Sequence, residues 1–181
     1  MKCFVTGASG FIGANLVHIL NAAGHAVRAL VRPGSDLRGL AGAAFEPVHA
    51  DLQDRAALAE AMRGCDWCFH VAASYHLWLP DYAPLYAANV EGTRAVLEAA
   101  GEAGCRRIVY TSTVGVLRPP PASATRPTPA DETALATEAE MTNPYKHSKW
   151  LAEQIARDLA ARGLPVVIVN PTAPVGPRDV K

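Results

Sequence analysis

The chain has 181 residues, of which 50% are hydrophobic, 19% charged and 7% aromatic. That suits one core of ordinary size, is too little for two full domains, and excludes a disordered chain, a collagen-like repeat and a disulfide scaffold. Lys plus Arg and Asp plus Glu stand at 17 each, so the net charge of zero argues against nucleic acid or an anionic membrane as the main partner.

No apolar run reaches the roughly 18 residues that a membrane helix needs. Lys2 leads at once into strand-like residues and then glycines, so no secretory signal is expected. Cysteines stand at 3, 65, 68 and 105. Cys65 and Cys68 form a CxxC, but no second pair accompanies it, and Cys68 opens an apolar run. Reduced core thiols of a cytoplasmic protein are the expectation.

In chain order, the first apolar run is 3–6, and it enters Gly7-Ala8-Ser9-Gly10-Phe11-Ile12-Gly13. Gly7 permits a tight turn, Gly10 lets backbone approach a pyrophosphate, and Gly13 lets the next helix pack closely. That helix, 11–23, offers free N–H groups to an anion at its start. A second strand at 26–31 ends in Arg32-Pro33-Gly34-Ser35. An NAD site usually places Asp or Glu here for the ribose 2′-OH; Arg32 suits a 2′-phosphate instead, with Arg28 and Ser35 to assist. NADP is therefore the expected cofactor, with NAD as the alternative.

A third strand, 45–49, precedes Asp51-Leu52, and Asp54 is placed to cap a helix over 55–63. A fourth strand, 67–72, ends in Val71-Ala72-Ala73. His76, Leu77, Trp78 and Tyr82 follow it, either lining a substrate pocket or packing against another lobe. A long Ala-rich helix is expected over 82–103, stopped by Gly104. Asn89 and Gly92 are poor helix formers within it and call for a reason. Its alanines fit either burial against the sheet or the close approach of a homodimer.

The fifth strand, 107–111, ends in Thr111-Ser112-Thr113, three hydroxyls in succession. A Pro-rich stretch, 117–142, then carries Pro119, Pro120, Pro121, Pro127 and Pro129. It can be neither a continuous helix nor a central strand. Helix 144–162, stopped by Gly163, opens with Tyr145-Lys146-His147-Ser148-Lys149. A spacing of four puts Tyr145 and Lys149 on one face. A free phenol titrates near ~10, and about 4 kcal/mol of differential stabilisation would bring it near neutrality. A sixth strand, 166–170, leads to Asn170-Pro171-Thr172. Six strands with intervening helices predict a doubly wound parallel α/β sheet, a Rossmann fold.

The turn from Thr6 to Gly13 reads T-G-x-x-G-x-x-G, and with the Y-x-x-x-K of Tyr145 and Lys149 it resembles the extended short-chain dehydrogenase/reductase family. Segments 30–36, 86–93 and 167–172 are similar to hopanoid-associated sugar epimerases and the dihydroflavonol 4-reductase group. The resemblance implies that Tyr145 transfers a proton, that Lys149 lowers its pKa and bonds the nicotinamide ribose, and that Thr113, or else Ser112, polarises a carbonyl. It implies that Asn89 holds the active-site hydrogen-bond network. Asp51 and Leu52 would lie by the adenine. Thr111, Val71, Ala72, Ala73, Asn170, Pro171 and Thr172 would lie along the rest of the dinucleotide, with Ser9, Phe11 and Ile12 in the Gly turn.

The expected activity is hydride transfer between NAD(P) and a small carbonyl, alcohol or sugar. Carbonyl reduction with NADPH, sugar epimerisation with bound NAD, and a non-catalytic dinucleotide sensor are the alternatives. Family members run well over a hundred residues further. Residues 1–181 are therefore expected to be the dinucleotide-binding domain, with the substrate lobe to follow.

Overall fold

The computed structural model describes residues 1–76, 78–119 and 129–180. Its strands are β1 (Lys2–Thr6), β2 (Ala26–Leu30), β3 (Glu46–Val48), β4 (Trp67–His70), β5 (Arg107–Thr111) and β6 (Val166–Val169). The helices are α1 (Phe11–Ala22), α2 (Arg55–Met62), α3 (Ala83–Tyr86), α4 (Gly92–Glu102) and α5 (Pro144–Ala161). The strands form one sheet in the order β3-β2-β1-β4-β5-β6, every pairing parallel. The expected doubly wound fold is present, and its switch point lies between β1 and β4, where such sheets bind ligands.

The central run, β1, is buried on both faces, as a central parallel strand requires, while the edge strand β6 leaves Val167 and Val169 exposed. Cys3 and Val5 of β1 pack with Val27 and Ala29 of β2 under α1, while Phe4 joins Cys68, Ile108 and Tyr110 beneath α2, α4 and α5. Ala95, Ala99 and Ala100 of α4 lie in this second core. Burial against the sheet therefore accounts for those alanines. All four cysteines are free and buried. Asp54 caps α2 as expected, accepting from the Ala57 N–H at 3.0 Å. No helix among the described residues is long and apolar enough to cross a membrane.

Three departures from the sequence reading have local causes. β4 stops at His70, not at 72, because the N–H groups of Val71 and Ala72 turn to the Thr6 hydroxyl at 3.2 and 3.1 Å. The expected single helix over 82–103 is interrupted by a π-helical turn at Ala87–Glu91, which gives Asn89 its reason to be there. Around the Pro-rich segment, Leu117 bridges Leu135 antiparallel. A 3-10 turn at Glu138–Glu140 is tied back by the Arg118–Glu140 ion pair at 3.0 Å. Pro120, Pro121, Pro127 and Leu77 lie outside the described residues.

Candidate active site

The glycine turn is built from close backbone contacts. Gly7 has φ 70°, and a Cβ there would stand 2.6 Å from the Ala72 nitrogen. A Cβ on Gly13 would stand 2.1 Å from the Gly7 carbonyl oxygen, so α1 closes directly on the turn that precedes it. The Gly10 N–H donates to the Gly7 carbonyl at 3.0 Å. No side chain caps α1, which leaves its first N–H groups and its positive dipole end for an anion. Ser9, Phe11 and Ile12 sit half-buried along this edge, and the ring of Phe11 lies against Gly176. A cradle of this shape, closed to any side chain at Gly7 and Gly13, fits a dinucleotide pyrophosphate.

At the end of β2, Arg32 is exposed, and its guanidinium has no hydrogen bond or ion pair among the described residues. Its carbonyl accepts from the Ser35 N–H at 3.1 Å, closing the loop. Arg28 cannot assist it. The Arg28 guanidinium donates to the Ala61 carbonyl at 2.6 Å and pairs with Glu46 at 2.9 Å. The carbonyls at the end of α2 and Glu46 at the start of β3 hold it there. Asp51 is exposed, with its carboxylate accepting from the Gln53 N–H at 2.8 Å. Leu52 packs against Gly92.

Across the switch point, the loop after β5 stays zipped to the segment after β6. The Ser112 N–H donates to the Val169 carbonyl at 2.8 Å, and the Val114 N–H to the Pro171 carbonyl at 3.1 Å. This brings Ser112 and Thr113 beside Asn170 and Pro171, with exposed Thr172 following. Thr113 is half-buried, and its Oγ1 accepts from the Gly115 N–H at 3.1 Å. Its own proton stays available. The Ser112 hydroxyl is buried beside the Tyr110 phenol, which burial pushes up in pKa and the Ser112 contact draws back down.

Tyr145 and Lys149 begin α5, whose Asn143 cap accepts from the Lys146 N–H at 2.9 Å. Lys149 is only 2% exposed. Its Nζ donates to the Thr111 carbonyl at 2.9 Å and lies 4.5 Å from the centre of the Tyr110 ring. Burial drags its pKa down to about 7, opposed by Glu153. Burial, and then Tyr75, push the pKa of the Tyr145 phenol above the ordinary value, because Lys149 is turned toward β5. In this arrangement the phenol is held protonated. The ring of Tyr145 meets Tyr75 edge-on, centroids 4.7 Å apart. Tyr75 thus touches Tyr145 while remaining 63% exposed, and Trp78 is 73% exposed. Sequence reasoning began the aromatic cluster one residue late, at His76.

A buried hydrogen-bond chain joins the two halves. The Thr6 hydroxyl accepts from the Val71 and Ala72 N–H groups and lies 2.8 Å from Nδ1 of His70. Nε2 of His70 lies 3.0 Å from Oγ1 of Thr93, which donates to the Asn89 carbonyl at 2.6 Å. One proton arrangement satisfies every member: Thr6 donates to Nδ1, and Nε2–H donates to Thr93. His70 is therefore neutral, and burial, assisted by the nearby Lys149 charge, lowers its pKa to about 3. The Asn89 side chain accepts from the Ser74 N–H at 2.7 Å. It donates to the Ser74 carbonyl and to the Ser148 hydroxyl, each at 2.9 Å. Ser148 in turn donates to the Tyr145 carbonyl at 2.8 Å. Asn89 thus holds the loop after β4 against the helix that bears Tyr145. Thr6, His70 and Thr93 were not singled out from sequence as polar links; a Thr and a His inside apolar strands were the available signal.

A protein of Synechocystis sp. provisionally named a dihydroflavonol 4-reductase is 44% identical over 178 residues, covering 98% of this chain and 50% of its own length. The crystal structure of gox2253 is 44% identical, with a TM-score of 0.89, over 99% of this chain and 53% of that one. A short-chain dehydrogenase/reductase superfamily protein of Agrobacterium tumefaciens, solved with bound NAD, is 31% identical, with a TM-score of 0.68, over 94% of this chain and 48% of that one. The chain spans about half the length of the proteins it matches. Over residues 3–181 it matches the model of one family, and it belongs to that family, the NAD dependent epimerase/dehydratase family.

Proposed function

We propose that this chain forms the dinucleotide-binding and proton-transfer part of an NADPH-dependent carbonyl reductase. The observation that carries the reading is the half-buried phenol of Tyr145, one helical turn from the buried Lys149 whose Nζ bonds the Thr111 carbonyl at 2.9 Å. Such a phenol is set to give a proton to a carbonyl oxygen as it becomes an alcohol. Thr113 donates a hydrogen bond to the same oxygen, with Ser112 as the fallback. Lys149 stabilises the phenolate left behind and bonds the nicotinamide ribose. Asn89 keeps the Ser74 loop and α5 in register. A nicotinamide dinucleotide, when bound, supplies the hydride chemistry.

Gly7, Ser9, Gly10, Phe11, Ile12 and Gly13 form the pyrophosphate cradle. Arg32 pairs with a 2′-phosphate, and Asp51 and Leu52 flank the adenine. Val71, Ala72, Ala73, Thr111, Asn170, Pro171 and Thr172 line the nicotinamide half. The substrate wall opposite the nicotinamide is assigned to a lobe beyond residues 1–181, in keeping with relatives about twice as long. The Synechocystis relative's name supports a reductase.

A second reading is sugar epimerisation with retained NAD. The family's name and the NAD in the Agrobacterium structure favour it. There the ketone stays bound and is reduced on its other face. Purified protein should consume NADPH with ketones and carry no bound NAD. NAD retained through purification, with no NADPH consumption, selects the epimerase.

A further inference from the structure

Glu153 is a buried charge that the proposed chemistry leaves unused. It lies one helical turn beyond Lys149 on α5 and is 1% exposed. A carboxylate so deeply buried persists only when paired and fully hydrogen-bonded. Its Oε1 accepts from Nε and Nη2 of Arg157 at 2.9 and 2.6 Å. Its Oε2 accepts from Nδ2 of Asn170 at 2.9 Å, and that same amide donates to the Thr113 carbonyl at 3.1 Å. One carboxylate therefore ties together α5, the end of β6 and the loop after β5. These are the segments that carry Lys149, Asn170 and Thr113.

The charges around Lys149 give Glu153 a second task. From β5, Lys149 meets the uncharged Tyr110 ring and the Thr111 carbonyl. From β4 it faces His70, which is neutral. On its own helix stand the protonated Tyr145 and Glu153, with Arg157 lying beyond Glu153 and partly in solvent. Burial pulls Lys149 toward losing its proton, and Glu153 opposes that pull.

We propose that Glu153 is a positioning residue of this site, fixing Asn170 and the Thr113 carbonyl in register with α5 and supplying the negative charge that faces the Lys149 ammonium. The inference rests on the reading above only for what Lys149 does to a dinucleotide.

Two measurements on the whole protein separate the two ideas. The first is the urea midpoint against pH. Lys149 titrates lower folded than unfolded, so its contribution makes the midpoint rise as pH increases from about 7. Glu153→Gln should start that rise about one pH unit lower, and Lys149→Met should abolish both the rise and the effect of Glu153→Gln. The second is calorimetric NADPH titration. Glu153→Gln should bind about as tightly as the unmodified protein at pH 6 and about tenfold more weakly at pH 8, since a one-unit drop in a titration is a tenfold loss of the protonated form above it. Glu153→Asp keeps the charge and should recover most of the pH 8 affinity.

A loss of midpoint and affinity that is the same at every pH, or that persists with its pH dependence in the Lys149→Met background, overturns the proposal. If Glu153→Gln does not fold, Glu153→Asp decides. An unchanged onset pH supports the proposal, and an onset lowered by about one unit overturns it. If the unmodified protein binds no NADPH, the dinucleotide reading fails, while the urea curves still judge Glu153.

Discussion

The two halves of the sheet are held by different means. Around β1 and β2 the candidate site is made of backbone: Gly7 and Gly13 press the turn against Ala72 and against α1, and no side-chain cap intervenes. Around β4, β5 and β6 it is made of side chains that meet across strands. His70 and Thr93 form one chain that reaches back to Thr6 of β1, Asn89 grips Ser74 and Ser148, and Lys149 reaches Thr111. The first half suits a ligand whose phosphates bind to N–H groups anywhere. The second holds groups whose charge and protonation depend on their neighbours. Substitutions should therefore act by steric exclusion in the first half and through protons in the second.

The largest effect on stability is expected from Gly13→Ala. Its Cβ would lie 2.1 Å from the Gly7 carbonyl oxygen, and backbone cannot yield that far cheaply. Urea denaturation should show a loss of about 3 kcal/mol or more. A loss under about 1 kcal/mol would mean that the turn is looser than its contacts imply.

In the same half, Arg32→Asp leaves the fold alone and reverses a charge. NADPH affinity should fall about 10–100-fold, the scale of one charge-assisted pair, while NADH affinity holds or improves. Calorimetry that finds both cofactors equal in the unmodified protein would remove Arg32 as the selector.

The second half should reveal itself through pH. His70 is neutral and buried, with a folded pKa of about 3 against an unfolded value of about 6.5. Its stabilising contribution is complete above about pH 6.5 and is lost as pH falls toward 3, at up to about 1.4 kcal/mol per pH unit. Between about pH 6.5 and 5 the carboxylates add little, since they titrate lower. The slope of unfolding free energy in that window should be clearly steeper than in His70→Asn. Matching slopes would mean that His70 takes up a proton without cost.

The smallest effect is expected at Ser112. Its buried hydroxyl meets the Tyr110 phenol outside good hydrogen-bond geometry, so Ser112→Ala should cost no more than about 1 kcal/mol. A loss above about 2 kcal/mol in thermal or urea unfolding would show that the Ser112–Tyr110 contact is a strong, well-aligned bond.

This contrast also explains what the sequence could disclose. The glycine turn, the Asp54 cap and the Tyr145–Lys149 pair depend on spacing within a few residues, and each is where the pattern put it. The polar links could not be read in that way. Thr6 and His70 are 64 positions apart, and Asn89 and Ser148 are 59 apart; only the order of strands brings them together. The fourth strand and the helix over 82–103 depart from the regular pattern because the competing bonds are tertiary. The Thr6 hydroxyl takes the N–H groups of Val71 and Ala72, and the π-turn aims Asn89 at Ser74. Arg28 is near Arg32 in sequence, yet Glu46 and the carbonyls at the end of α2 hold its guanidinium. The pKa of Tyr145 depends on the same tertiary setting. Spacing puts Lys149 on its face of the helix, but burial and the Thr111 carbonyl decide where the ammonium points.

Tyr145 is the centre of the proposed chemistry, and one experiment addresses it directly. NADPH oxidation by a ketone is followed in a single turnover with the unmodified protein and with Tyr145→Phe, alongside calorimetric NADPH affinity for both. The expected result is a turnover about 10²–10⁴-fold slower, the scale of positioned acid–base catalysis, with affinity unchanged. Equal turnover in the two proteins would contradict the account and move the proton transfer to another group.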